Sequence, residues 1–353
     1  MKRKRKAFMA VALSILVIAG CSARGGNDPA SSQVDSAKSA GAAQSTETVA
    51  KPDKLKIQTS FYPMYEFTRQ VAGELADVEL LVPGGVEPHD WEPTPQDIQK
   101  IEESDVLVYN GAGMEGWVDQ VKSAIGSGKL VTVEASQGLD LIEGTEEEHG
   151  DEHDHDHDHD HATGDHRHES GDEHAHDHGG LDPHVWLAPS LAAQEVRNIE
   201  TALAKAAPDH KDKFKQNADA YISKLNQLDQ EFKEGLAKAN RKDFITQHAA
   251  FGYLAKQYGL TQVPIAGLSP DQEPSAEQMT EVIKFAKEHK VKTIFFETLV
   301  SSKVADAIAS EIGAKTAVLN PIEGLTEEDE ANKRDYLALM RINLESLQAA
   351  LNE

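Results

Sequence analysis

Phe214, Ala218, Tyr221, Leu225, Leu228, Phe232 and Leu236 follow one another at intervals of four, three, four, three, four and four residues. That rhythm holds one face of an α-helix for about six turns. Pro208 suits the first turn of such a helix and Asn240 its exit. A helix of roughly 30 residues is about 45 Å long, more than the width of a small domain. A coiled coil is the bland alternative, but the stripe stands alone and is not sustained over enough heptads. The chain is therefore expected to hold two bodies with this helix running along both as a spine.

Each side of the stripe carries the same grammar. Before it, "KLKIQTSFYP", "DVELLVPGG", "DVLVYNGAG" and "KLVTVEAS" read as strands, separated by the helical patterns "MYEFTRQVAGE", "TPQDIQKIEES" and "EGWVDQVKSAIG". After it, "DFITQ", "QVPIAGLS", "VKTIFFET" and "KTAVLNP" read as strands. Helices are expected over "HAAFGYLAKQYG", Ser275–His289, Ser302–Ile312 and, in one piece, Ala331–Leu351. Strands alternating with helices at this spacing make parallel sheets with helices on their faces. The expected fold class is α/β, with two Rossmann-like lobes and a long spine helix. The boundaries fall at 54–188 for the first lobe, 189–240 for the helical linker and 241–353 for the second lobe. A length of 353 residues accommodates this.

The N-terminus is of another kind. "MKRKRK" is basic, and "AFMAVALSILVIAG" is an apolar run too short to span a bilayer comfortably, which together fit an export signal over residues 1–20. Cys21, the one cysteine, follows Ile18-Ala19-Gly20 directly, a placement that resembles the bacterial lipobox. Cys21 is thus expected to carry a lipid anchor in the cell membrane, and no disulfide is possible within the mature chain. Residues 21–53 contain almost no large apolar side chain and read as a flexible tether to an extracytoplasmic body.

Net charge excludes whole classes of partner. At −25 the chain has no general affinity for nucleic acid or anionic membrane faces. About −14 of this sits between Glu143 and His178, where acidic residues interleave with eleven histidines: His149, His153, His155, His157, His159, His161, His166, His168, His174, His176 and His178. Without apolar residues this stretch, 143–180, builds no packed shell, so its metal contacts would be many, weak and interchangeable. We expect it to be a mobile loop of the first lobe that collects metal ions. A merely solvated acidic insertion is the alternative.

Four single residues have a different setting. His89 lies in the Gly/Pro-rich "VPGGVEPHDWEPTPQD" after a strand, and His184 in "GGLDPHVWLAPS". His248 lies between the strand "DFITQ" and a helix, and Glu323 follows the strand "KTAVLN" in "NPIEGLTEED". Open α/β sheets bind ligands at the carboxyl ends of their strands. Each residue alone has an ordinary explanation in turns or packing, but three imidazoles and one carboxylate, two from each lobe, could surround one cation. That donor set suits zinc. His210 and His289 lie on charged helical stretches and are assigned to the surface.

"EPHDWEPTP", "DPHVWLAP", "ITQHAAFGYLA" and "LNPIEGLTEED", in this order, resemble the metal-ligand segments of the zinc-binding lipoproteins of bacterial ABC metal importers. The resemblance covers Leu55 to Glu353 and includes an acidic-histidine insertion just before "DPHVWL". It implies two α/β lobes with the metal in the cleft between them, ligands at His89, His184, His248 and Glu323, and no enzymatic activity. It also implies Zn2+ as the cargo, and an ABC permease with its ATPase as partners of a monomer. Water in place of Glu323 is the variant some relatives use. Manganese-binding relatives commonly carry a carboxylate where His248 stands, so zinc is expected, with manganese, iron or nickel as alternatives. A zinc hydrolase and a surface adhesin are the rival readings. "HGDEH" at His149–His153 matches H-x-x-E-H formally, but in low-complexity sequence where a stable helix is improbable.

Overall fold

A computed structural model describes residues 54–126, 128–144 and 180–353. The expected export signal, Cys21, the tether and the eleven clustered histidines lie outside the described residues. The described part clusters as one unit, and none of its helices is long and apolar enough to cross a membrane.

The first sheet is built by β1 (Leu55–Thr59), α1 (Tyr62–Ala72), β2 (Ala76–Leu80), α2 (Pro95–Glu102), β3 (Val106–Tyr109), α3 (Val118–Ile125) and β4 (Val131–Glu134) in alternation. All its strands are parallel, in the order β2-β1-β3-β4. The link comprises α4 (Pro189–Ala206) and α5 (Lys211–Leu236). The second sheet then repeats the pattern with β5 (Asp243–Thr246), α6 (Gly252–Tyr258), β6 (Thr261–Pro264), α7 (Ala276–Glu288), β7 (Thr293–Phe296), α8 (Lys303–Ile312) and β8 (Lys315–Val318). Its order is β6-β5-β7-β8, again all parallel. The chain closes with α9 (Glu327–Ala331) and α10 (Tyr336–Leu351).

Local chemistry explains these elements. Strand β3, Val-Leu-Val-Tyr, is buried along its whole length, as a strand covered by helices on both faces must be. Thr94 and Ser275 start α2 and α7 with reciprocal capping boxes to Asp97 and Gln278. Every member of the α5 stripe is buried, and α5 lies against α4, α1 and α10, so it touches elements of both lobes. Pro208–His210 form a separate tight turn ahead of α5. The expected single helix over 331–351 is broken. Asn332 ends α9, Lys333 takes a left-handed φ of 53°, and the Asp335 side chain caps α10 at Ala338.

One apolar interior runs through both lobes. It joins Ile57, Val106 and Val133 of the first sheet to Val196, Leu225, Phe244, Phe295 and Met340. Separate clusters cover the outer faces, around Ile101 and Trp117 on one side and Val282 and Ile308 on the other. On α4, Glu195 is wholly buried with neither carboxyl oxygen hydrogen-bonded. Burial, with the nearby Glu115, pushes its carboxyl well above the ordinary range.

Candidate metal centre

The two histidine loops of the first half share one device. In Glu87-Pro88-His89 the Glu87 carboxyl accepts the His89 backbone N–H at 3.1 and 3.2 Å. In Asp182-Pro183-His184, Asp182 Oδ1 accepts the His184 N–H at 2.9 Å, an Asx turn with proline fixing its middle. The same Oδ1 accepts from His184 Nδ1 at 2.8 Å. That bond fixes the tautomer in which the Nε2 lone pair faces outward from the loop. Asn110, just beyond β3, anchors this segment by donating from Nδ2 to Pro183 O at 3.0 Å.

The second lobe supplies the other two groups at strand ends. His248 lies just beyond β5, and its backbone N–H donates to Glu297 Oε1, one residue beyond β7, at 3.0 Å. Strands β5 and β7 are neighbours where the strand order reverses, the crevice that open α/β sheets use for ligands. Nδ1 of His248 stands 2.6 Å from Glu297 Oε1, an ion-pair approach not aligned as a hydrogen bond. Glu323 follows β8 through Asn320, Pro321 and Ile322. Ile322 holds a φ of 60°, a conformation that β-branched residues rarely adopt. The bend is braced from several sides: Asn320 Oδ1 accepts from Ile322 N at 2.7 Å, and Asn343 of α10 bonds Asn320 N at 2.8 Å and Asn320 O at 2.6 Å. Trp186 Nε1 donates to Pro321 O at 2.8 Å. Asn343→Ala is expected to cost about 1–3 kcal/mol, because it leaves buried groups of Asn320 unpaired. Urea denaturation of the zinc-free protein measures this.

The four expected residues converge. His89 Nε2 is 3.3 Å from both His184 Nε2 and Glu323 Oε1. His184 Nε2 is 3.2 Å from His248 Nε2 and 3.4 Å from Glu323 Oε1, while His248 Nε2 is 3.6 Å from Glu323 Oε1. All four donor atoms lie within 4.8 Å of one another, and all four side chains are nearly or wholly buried. A tetrahedron of donors around zinc, at about 2.0–2.2 Å from the metal, has edges of about 3.3–3.6 Å. These five separations, 3.2 to 3.6 Å, lie at or close to the edge length of a zinc tetrahedron.

Charge in the cluster is arranged to favour a cation. Burial pushes the Glu323 carboxyl up, but hydrogen bonds from His184, His248 and His89 outweigh it and hold the group well below the ordinary range. Burial likewise lowers His248, yet Glu297 and Glu323 reverse this and raise it to about 10. His184 is raised because Asp182 and Glu323 outweigh its burial, whereas burial prevails at His89 and lowers it. Zinc needs neutral imidazoles, so its binding expels protons and weakens as pH falls.

Asp182, Glu297 and Glu87 had not been identified from the sequence. Asp182 could have been, since D-x-H offers the histidine an acceptor two residues away. Glu297 could also have been, as a carboxylate ending an otherwise apolar strand. Glu87, Asp90 and Asp271 bring their carboxyl groups together beside the cluster, and burial together with the charge of Glu323 raises Glu87 to about 8. His289, 46% exposed, stacks on Phe285 away from the cluster, and His210 lies in the turn before α5.

Residues 57–350 match the model of the family described as zinc-uptake complex component A, periplasmic. The high-affinity zinc uptake system protein ZnuA of Bacillus subtilis is 47% identical over 351 residues, 99% of each chain. The zinc-binding lipoprotein AdcA of Streptococcus pneumoniae is 44% identical over 300 residues, which are 85% of this chain and 56% of AdcA. The chain therefore spans just over half the length of that relative. The crystal structure of the Zn(II)-bound ZnuA-like domain of the same AdcA superposes with a TM-score of 0.69 at 40% identity, covering 85% of this chain and 100% of that one.

Proposed function

Because the chain belongs to the zinc-uptake complex component A family, we propose that it is an extracytoplasmic binding protein that captures Zn2+ through His89, His184, His248 and Glu323. Zinc is the cargo and uptake the purpose. The observation that carries the ligand assignment is the set of separations from 3.2 to 3.6 Å among four buried donors. Imidazole nitrogen suits zinc, and manganese favours hard oxygen donors, so three histidines with one carboxylate favour zinc.

Capture follows from the geometry. The exposed carboxylates of Asp90 and Asp271, beside Glu87, lower the potential at the approach to the cluster, which draws a cation in. Zinc then exchanges its water for three lone pairs and one carboxylate that are already aimed at a common centre. Asp182 holds His184 in the required tautomer, and Glu297 lies against His248. Closure by four protein donors leaves no position for a reacting water, which favours delivery over hydrolysis. In this reading the recipient is an ABC permease with its ATPase, and a lipid on Cys21 keeps the monomeric protein beside it.

A competition titration of the purified protein with zinc and manganese tests the cargo. One zinc per chain, held far more tightly than manganese, is expected; a preference for manganese would overturn the zinc assignment. Deleting Glu146–His178 is expected to remove weak sites and to leave that one tight zinc. Loss of tight binding with the deletion would show that the four buried residues are not the site.

A further inference from the structure

Asp182 gives its Oδ1 to His184, but its own position depends on the other lobe. We infer that Gly252 and Tyr253, at the start of α6, are positioning residues for zinc that act through Asp182 on His184. The inference rests on His184 being a ligand.

Tyr253 clasps two backbone strands at once. Its hydroxyl accepts from Ile142 N at 3.1 Å and donates to Asp182 O at 2.7 Å. The strands it joins are themselves paired: Asp182 N donates to Ile142 O at 3.0 Å, and Glu143 bridges Leu181 in antiparallel fashion. Its ring is 3% exposed and packs with Val185 and Ala188, so the hydroxyl has little freedom to turn away. Tyr253 therefore spends both hydrogen-bonding functions on the segment that carries Asp182.

Gly252 leaves the room that the Asp182 carboxylate occupies. A Cβ at this position would lie 2.6 Å from Asp182 Oδ2, a distance no side chain tolerates. Glycine lets α6 close onto Oδ2 while Oδ1 serves the histidine. Beside this contact is a cleft of about 300 Å3, lined by Ile142, Asp182, Gly252 and Leu268 among others. A carboxylate pushed by a methyl group, or released from the clasp, has room to swing into that cleft. His184 would then lose the acceptor that keeps its proton on Nδ1. Partners of this outer kind are worth about 10- to 100-fold in metal affinity.

The test compares the full chain with Tyr253→Phe, Gly252→Ala, Asp182→Asn and His184→Ala. The two readouts are zinc affinity by chelator competition and solvent exchange of the His184 Nδ1 proton in the zinc-loaded protein by NMR. Tyr253→Phe is expected to weaken zinc about tenfold, Gly252→Ala about 10- to 100-fold, and both to speed exchange of that proton. Combined with Asp182→Asn, Tyr253→Phe should add little, because both act on one bond. If both α6 variants keep wild-type affinity and slow exchange, or if Tyr253→Phe adds fully to Asp182→Asn, the inference fails. Should Gly252→Ala not fold, Tyr253→Phe alone decides. Wild-type affinity in His184→Ala would instead defeat the ligand assignment, a distinguishable result.

Discussion

His248→Ala is expected to weaken zinc binding by at least about 1,000-fold, since losing even an outer hydrogen-bonding partner costs about 10- to 100-fold. The substitution removes a proposed donor whose Nε2 lies 3.2 Å from His184 Nε2 and 3.6 Å from Glu323 Oε1. It also strips Glu297 of the ring that stands 2.6 Å away, leaving two carboxylates near the gap. Water can fill the vacated position but brings no fixed lone pair, so the remaining donors must order it at an entropic cost. Competition with a chelator measures the change, and His289→Ala, outside the cluster, serves as the control that should not move. A loss below tenfold in His248→Ala would mean that His248 is not a ligand.

Glu195→Gln is expected to stabilise the fold, and to do so more as pH rises. The Glu195 carboxyl is raised well above the ordinary range by burial, with Glu115 adding repulsion. A raised carboxyl binds its proton more tightly in the folded than in the unfolded chain. Its contribution to stability is therefore complete below the unfolded pKa of about 4.3 and is lost as pH climbs toward the folded one. Each pH unit in that window costs up to about 1.4 kcal/mol, so the wild type gives up at most about 3–4 kcal/mol by pH 7. Glutamine has the same size and no proton to lose. Denaturation curves of the two proteins should coincide near pH 4 and separate steadily above it. Glu115, raised to about 7 by burial but held by Ser60 and two backbone N–H groups, is present in both proteins, and its repulsion with Glu195 is part of what the substitution removes. Parallel curves at every pH would refute the account.

The fold was legible where periodicity is strong. The stripe from Phe214 to Leu236 reads as a helix because a face buried against several elements must repeat every three or four residues. The strands read clearly because those covered on both faces, such as β3, are short apolar runs. What the pattern misplaces is where the last helix begins. The stripe of Tyr336, Met340 and Leu344 lies wholly within α10, and the acidic Glu327–Ala331 of α9 carries no apolar face, so no change of periodicity marks the turn at 332–335. At the candidate metal centre, the convergence of His89, His184, His248 and Glu323 could be anticipated because each stands in an irregular segment beside a strand end or loop. The acceptors behind them, Asp182 and Glu297, act through partners distant in sequence or through the adjacency of β5 and β7. A one-dimensional reading does not contain that adjacency.

The interior that runs from Ile57 through Leu225 to Met340 belongs to neither lobe alone. Parting the lobes would expose it to water, so the resting molecule opens only by breaking apolar contacts throughout its middle. The two sheets are then expected to open as one cooperative unit, with zinc bound by residues of both lobes linked to that opening. At a free zinc concentration 100 times the dissociation constant, that linkage adds about 2.7 kcal/mol to every opening that destroys the site. An amide in the middle of α5, far from any ligand, should then exchange with solvent as though it too were bound to the metal.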